Sequence, residues 1–69
     1  MRLSARNQIK GTVKAMKKGA TTSHVMVDIG SGNTITAAIT NESVEELGIK
    51  AGGKVTAVIK ASSVMIGVD

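Results

Sequence analysis

The chain has 69 residues, 42% of them hydrophobic, no Cys, Pro, Phe, Tyr or Trp, and a formal net charge of +4 from nine Lys or Arg against five Asp or Glu. That length supports one domain, residues 1–69, near the size at which a lone core is marginal, and the missing residue types exclude disulfide staples, a thiolate zinc site and large aromatic anchors. No apolar run approaches the roughly eighteen residues of a membrane span and the N-terminus lacks a signal-peptide core, so a cytoplasmic protein with no membrane partner is expected.

A core built from Val, Ile, Ala and Met in so short a chain predicts homo-oligomerisation, with subunit contacts acting as the missing interior. Three of the five acids, Glu42, Glu45 and Glu46, share one segment. Outside it the balance is nine positive against two negative, or +7, a surface that attracts anions.

The stretch Ser4-Ala5-Arg6-Asn7 joins a hydroxyl, a guanidinium and a carboxamide, all hydrogen-bond donors and none negative. From Asn7 to Ala15, Ile9, Gly11, Val13 and Ala15 alternate with Lys10, Thr12 and Lys14, which predicts a half-buried strand. Gly11 within it suggests a bulge or sharp bend. Lys17-Lys18-Gly19 reads as a turn. His24 to Ile29 and Thr34 to Ile39 alternate as strands two and three, joined by Gly30-Ser31-Gly32-Asn33 as a hairpin connection.

Thr40 to Gly48 breaks the alternation and predicts one short helix ended by Gly48. Ser43 with Glu46 has capping-box spacing, but a cap at Thr40 or Asn41 is preferred because a start at Ser43 leaves barely one turn. Lys50-Ala51-Gly52-Gly53 is a turn, Lys54 to Lys60 a fourth strand, and Ser63 to Val68 a fifth. The fold class that follows is mostly β: an OB-like five-stranded small barrel with one short helix between strands three and four. Outward apolar positions such as Met26, Val58 and Met65 are candidate subunit contacts.

Two further segments are rich in donors. Thr40 and Ser43 sit at the helix start, and Lys60-Ala61 combines a cation with the N–H groups of a tight turn. The sequences S-A-R-N-Q-I-K-G-T-V, I-T-N-E-S-V-E-E-L-G and V-T-A-V-I-K-A-S-S-V-M-I resemble the molbindin family, proteins built on a single Mop domain, and the likeness spans nearly the whole chain. The resemblance implies a hexamer, a trimer of dimers, that binds molybdate or tungstate between subunits for storage, buffering or homeostasis. It maps the main site to Ser4, Ala5, Arg6, Asn7, Lys60 and Ala61 of one subunit with Thr40 and Ser43 of a neighbour. A second site near the threefold axis maps to Lys17, Lys18, Gly19 and Ala20. It implies no cofactor and no metal cation site, since the metal enters only as an oxyanion ligand.

The chemistry agrees. Molybdate at neutral pH is a tetrahedral dianion with four acceptor oxygens and no proton, so its pocket should offer donors and exclude carboxylates. Arg6 can pair bidentately with two oxygens and Lys60 adds a point charge. Glu42, Glu45 and Glu46 must then point away.

Other readings compete residue by residue. Arg6 alone is most simply a solvated arginine, Lys60 a strand-end charge that protects an edge, and Thr40 and Ser43 helix caps. One His without Cys or clustered acids makes no metal site, so His24 reads as a surface or interface residue. The methionines read as core and interface filler. An enzyme is disfavoured by the lack of Cys and of paired carboxylates outside a solvated helix face. A basic OB-like nucleic-acid-binding module is the alternative function, suited by fold and charge, but single-strand binding by such barrels rests on aromatic stacking that this chain cannot supply.

Overall fold

The computed structural model describes residues 1–69. Four antiparallel strands, β1 (Asn7–Lys18), β2 (Thr22–Gly30), β3 (Asn33–Thr40) and β4 (Lys54–Ile59), form one sheet in the order β3-β2-β1-β4, and α1 (Asn41–Leu47) lies between β3 and β4. This is the mostly β, OB-like arrangement that the alternation predicts, with the helix in its predicted place.

The strand β1 organises the sheet because it serves two partners. Residues Asn7 to Thr12 pair with β4, residues Thr12 to Lys18 pair with β2, and Thr12 belongs to both ladders. The ladder with β2 slips between Val13 and Ala15, so Lys14 is the bulged residue. Gly11 is therefore not the bulge that its glycine suggested. Its backbone packs against β2, where an added Cβ would lie 2.6 Å from the Asp28 carbonyl oxygen and 2.6 Å from a Val27 methyl. The glycine is required by close approach.

The turn predicted at Lys17-Lys18-Gly19 falls later. Lys17 and Lys18 end β1, opposite His24 and Ser23, and the chain reverses over Gly19 to Thr21. Pairing to β2 holds the two lysines extended although nothing in the local sequence demands a strand there. Between β2 and β3, Gly30 pairs with Asn33 and leaves Ser31-Gly32 as a two-residue loop with φ of 54° and 76°. Positive φ at both positions is the type I′ geometry that matches strand twist.

The helix starts at the earlier of the two candidate caps. The Thr40 hydroxyl accepts from the Ser43 N–H at 3.0 Å, and Gly48 closes the helix at φ 64°. The Gly48 and Ile49 N–H groups donate back to Glu45 and Val44 carbonyls, a Schellman ending that aims Ile49 at the core.

That core is small. Val13, Val25 and Val27 are buried, flanked by partly buried Ile29, Ile39, Ile49 and Val55, and the remaining buried residue is Ser23. The apolar faces of the alternating strands are the ones that pack: Ile9 and Val13 in β1, Val25, Val27 and Ile29 in β2, and Ile35, Ala37 and Ile39 in β3. The predicted fifth strand does not form within the chain. A 3-10 turn over Ala61–Ser63 interrupts the ladder directly after Ile59, and no edge of the sheet pairs with residues 64–69. Met65, Ile66 and Val68 are 92%, 87% and 93% exposed. A strand needs a backbone partner, and this chain supplies none to that segment. Of the outward apolar positions, Val58 and Met65 are exposed, whereas Met26 is half-buried.

Candidate functional site

Antiparallel pairing of Asn7 with Ile59 builds the first cleft. Because the two strands run in opposite directions, residues just before Asn7 must lie beside residues just after Ile59. Ser4, Ala5, Arg6, Val58, Lys60, Ala61 and Ser62 accordingly line one open cleft of about 650 Å³. Two segments more than fifty residues apart in sequence thus meet through one register. No Asp or Glu lines the cleft.

Local hydrogen bonds hold its walls. The Asn7 side-chain amide donates to the Ile59 carbonyl at 3.3 Å, and Gln8 reaches back to donate to the Ala5 carbonyl at 3.0 Å. Asn7 is thus placed as a tether between the two walls and is not itself among the lining residues, while Gln8 supports the Ser4 to Arg6 segment from behind. Ser62 is a lining residue that the sequence motifs did not single out. Nothing in its residue type marks it, and it lines the cleft because the 3-10 turn after Ile59 places it there.

Thr40 and Ser43 lie where β3, the far edge strand of the sheet, passes into α1, and they are not among the residues that line this cleft. Thr40 donates its hydroxyl hydrogen to Ser43 Oγ at 2.9 Å while accepting the Ser43 N–H, so the capping role is present. The accounting leaves the Ser43 hydroxyl hydrogen free, and it is the donor of the pair available to a partner.

Lys17, Lys18, Gly19 and Ala20 come together at the β1–β2 turn, with both lysines exposed. The Gly19 N–H is used by the Thr22 carbonyl at 2.7 Å. Asn41, at the first helical position, ties this turn to the helix: its backbone N–H donates to the Thr21 carbonyl at 2.9 Å, and its side chain donates to Gly19 and Ala20 carbonyls at 3.1 and 3.3 Å. Sequence reasoning missed Asn41, treating it only as a possible cap. Elsewhere, no three His, Asp or Glu side chains gather where they could hold a metal ion, and no helix is long and apolar enough to cross a membrane.

The TOBE domain family matches residues 3–66. The chain belongs to the TOBE domain family. Within it, the domain is 54% identical over 66 residues to molybdenum-pterin-binding protein 1 of Clostridium pasteurianum, covering 96% of this chain and 97% of that protein. The fold superposes on MopII of Clostridium pasteurianum with a TM-score of 0.91 at 51% identity, covering 97% of this chain and 100% of that one. It also superposes on ModG, described as a cytoplasmic molybdate-binding protein and solved with molybdate bound, with a TM-score of 0.94 at 48% identity. All of this chain aligns with 49% of the ModG chain. This TOBE domain is therefore a molbindin by sequence and by fold, as its motifs imply.

Proposed function

We propose that the protein binds molybdate or tungstate as the free oxyanion and serves to store or buffer it in the cytoplasm. The observation that carries the reading is the cleft in which Arg6, Lys60, Ser4 and Ser62 converge with no carboxylate among the lining residues. A guanidinium offers paired N–H donors to two oxygens, an ammonium adds charge, and hydroxyls donate to the rest. A tetrahedral dianion with four acceptor oxygens matches such a set. Hydrogenphosphate would bring a proton that finds no charged acceptor, and sulfate is smaller, so missing acceptors and cavity size discriminate. The relatives named above are binding proteins, which supports a binding role over a catalytic one.

The main site is shared between subunits: Ser4, Ala5, Arg6, Asn7, Lys60 and Ala61 from one, Thr40 and Ser43 from a neighbour. Asn7 contributes by holding the walls. The oligomer is a hexamer arranged as a trimer of dimers. Support comes from the protomer itself, which buries three hydrophobic residues and leaves Val64, Met65, Ile66 and Val68 exposed. A chain so poor in interior gains stability by covering that surface with copies of itself. A second site at the β1–β2 turn uses Lys17 and Lys18 for charge and main-chain N–H groups for contact.

Titration calorimetry with native mass spectrometry tests this reading. The expected result is an oligomer that takes up molybdate and tungstate well below millimolar concentration and sulfate far more weakly, and a monomer with no oxyanion heat would overturn it. Arg6→Ala removes a bidentate, charge-assisted pair and should weaken the main site by about a hundredfold while the oligomer persists. Tight binding of single-stranded DNA with a steep salt slope and indifference to molybdate would favour the nucleic-acid reading instead.

A further inference from the structure

Asn41 makes three side-chain hydrogen bonds, more than any other residue of the protein. Its Oδ1 accepts from the Ser23 hydroxyl at 2.6 Å, and its Nδ2 donates to the carbonyls of Gly19 and Ala20. Ser23 is the one buried polar side chain, 4% exposed, so its hydroxyl has little choice of partner. This settles which way the carboxamide faces. Turned over, it would set an oxygen against two carbonyl oxygens and an NH2 against a hydroxyl that could no longer donate.

The two captured carbonyls constrain the turn. A trans peptide carries its carbonyl oxygen and the following N–H on opposite sides. With the Gly19 and Ala20 carbonyls both drawn to one amide nitrogen, the N–H groups of Ala20 and Thr21 face away from it together. Neither makes a hydrogen bond within the chain, whereas the Gly19 N–H is spent on Thr22. The acceptors of the turn are thus gathered on the inner side, around the pocket lined by Met16, Lys18, Ser23, Asn41, Val44 and Glu45. The outer side keeps two adjacent donors just beyond the end of β1, where Lys17 is exposed, while Lys18 lines the inner pocket. Consecutive free N–H groups facing one way make an anion-binding concavity.

We infer that Asn41 is a positioning residue for oxyanion binding at the β1–β2 turn: held by Ser23, it withdraws the Gly19 and Ala20 carbonyls so that the Ala20 and Thr21 N–H groups are presented to the anion. The inference rests on the functional reading above and refines its second site, releasing the Gly19 N–H from the main-chain contact, keeping Ala20 and adding Thr21. Asn41 touches no ligand itself. The ligand class is a small, fully deprotonated oxyanion, because the presented surface is donor-only.

The test is an amide 1H–15N titration of the full assembled protein with sodium molybdate, following Arg6, Ala20, Thr21 and Ser43. In the wild type, the Arg6 and Ser43 amides respond first and the Ala20 and Thr21 amides follow at higher concentration. Asn41→Ala should keep the oligomer and the Arg6 response but weaken the Ala20 and Thr21 response at least about tenfold, the scale of losing aligned donors to a charged ligand. Asn41→Asp keeps the Ser23 contact and suits an early helix position, yet cannot donate to the carbonyls, so it serves as the folded variant should Asn41→Ala assemble poorly. It should lose the turn response as well. Ala20 and Thr21 amides that track molybdate as in the wild type in both variants, or that stay silent in the wild type while Arg6 responds, would overturn the inference and leave the main site standing. Silence at every amide, Arg6 included, would overturn the functional reading beneath it.

Discussion

The sheet around Val13, Val25 and Val27 and the segment from Val64 to Val68 have similar side chains in opposite circumstances. In the sheet, Val25 and Val27 lie between β1 and β3, Val13 pairs with Val27, and β1 is bonded to β4 over Asn7 to Thr12 and to β2 over Thr12 to Lys18. In the segment, Met65, Ile66 and Val68 are as apolar but almost wholly exposed, and their backbone pairs with nothing in the chain. The contrast teaches that the chain closes its folding unit while leaving an apolar stretch of its surface uncovered. The candidate cleft lies on the border between the two, since Lys60, Ala61 and Ser62 connect the last strand to the exposed segment.

The comparison breaks most completely if the exposed segment is made polar. Met65→Asp with Ile66→Asp should dissociate the oligomer to monomers by light scattering and abolish molybdate binding. Backbone amides around Val13 and Val25 should remain protected from hydrogen exchange, because the folding unit does not depend on that segment. An assembly of unchanged size would show that the segment is not what joins the subunits.

A smaller effect separates capping from anion contact at the helix start. Asp caps helices at least as well as Thr, so Thr40→Asp should leave thermal stability within about 0.5 kcal/mol of the wild type. The added carboxylate would face a dianion supplied from the neighbour's cleft, and affinity should fall about a hundredfold. Undiminished affinity would mean that Thr40 is a cap and nothing more.

The folding unit itself is probed by Gly11→Ala, whose Cβ would meet the Asp28 carbonyl at 2.6 Å. Backbone cannot yield as a flexible side chain can, and a loss of about 1–3 kcal/mol is expected, read as a shift in the urea midpoint. Molybdate affinity of the surviving folded protein should be close to the wild-type value, which marks the core and the cleft as separate responsibilities.

Much of the fold was legible locally. The faces of β1, β2 and β3 follow the period of two, the I′ loop follows Ser31 and Gly32 between Gly30 and Asn33, and the helix follows a Thr40 cap and a Gly48 stop. What misled was equally local. Lys17 and Lys18 have turn-like composition but are held extended by their partners in β2, and Ser63 to Val68 has strand-like composition with no strand to join. Of the candidate site, the residues of the main cleft were readable as donor-rich segments, but Ser62 and Asn41 were not, because a single serine or asparagine acquires its role from what lies beside it.

The sequence by itself determined the element types, the inward faces, the donor character of the three polar segments and the excess of cations that draws anions, all properties of residue type and spacing. The tertiary structure decided the rest. The register of Asn7 against Ile59 brought Ser4 to Arg6 beside Lys60 to Ser62, the Ser23 hydroxyl chose the orientation of the Asn41 amide, and the close approach of β2 assigned Gly11 its reason. Each depends on which distant backbone lies alongside, and pairing between strands is a property of the whole sheet.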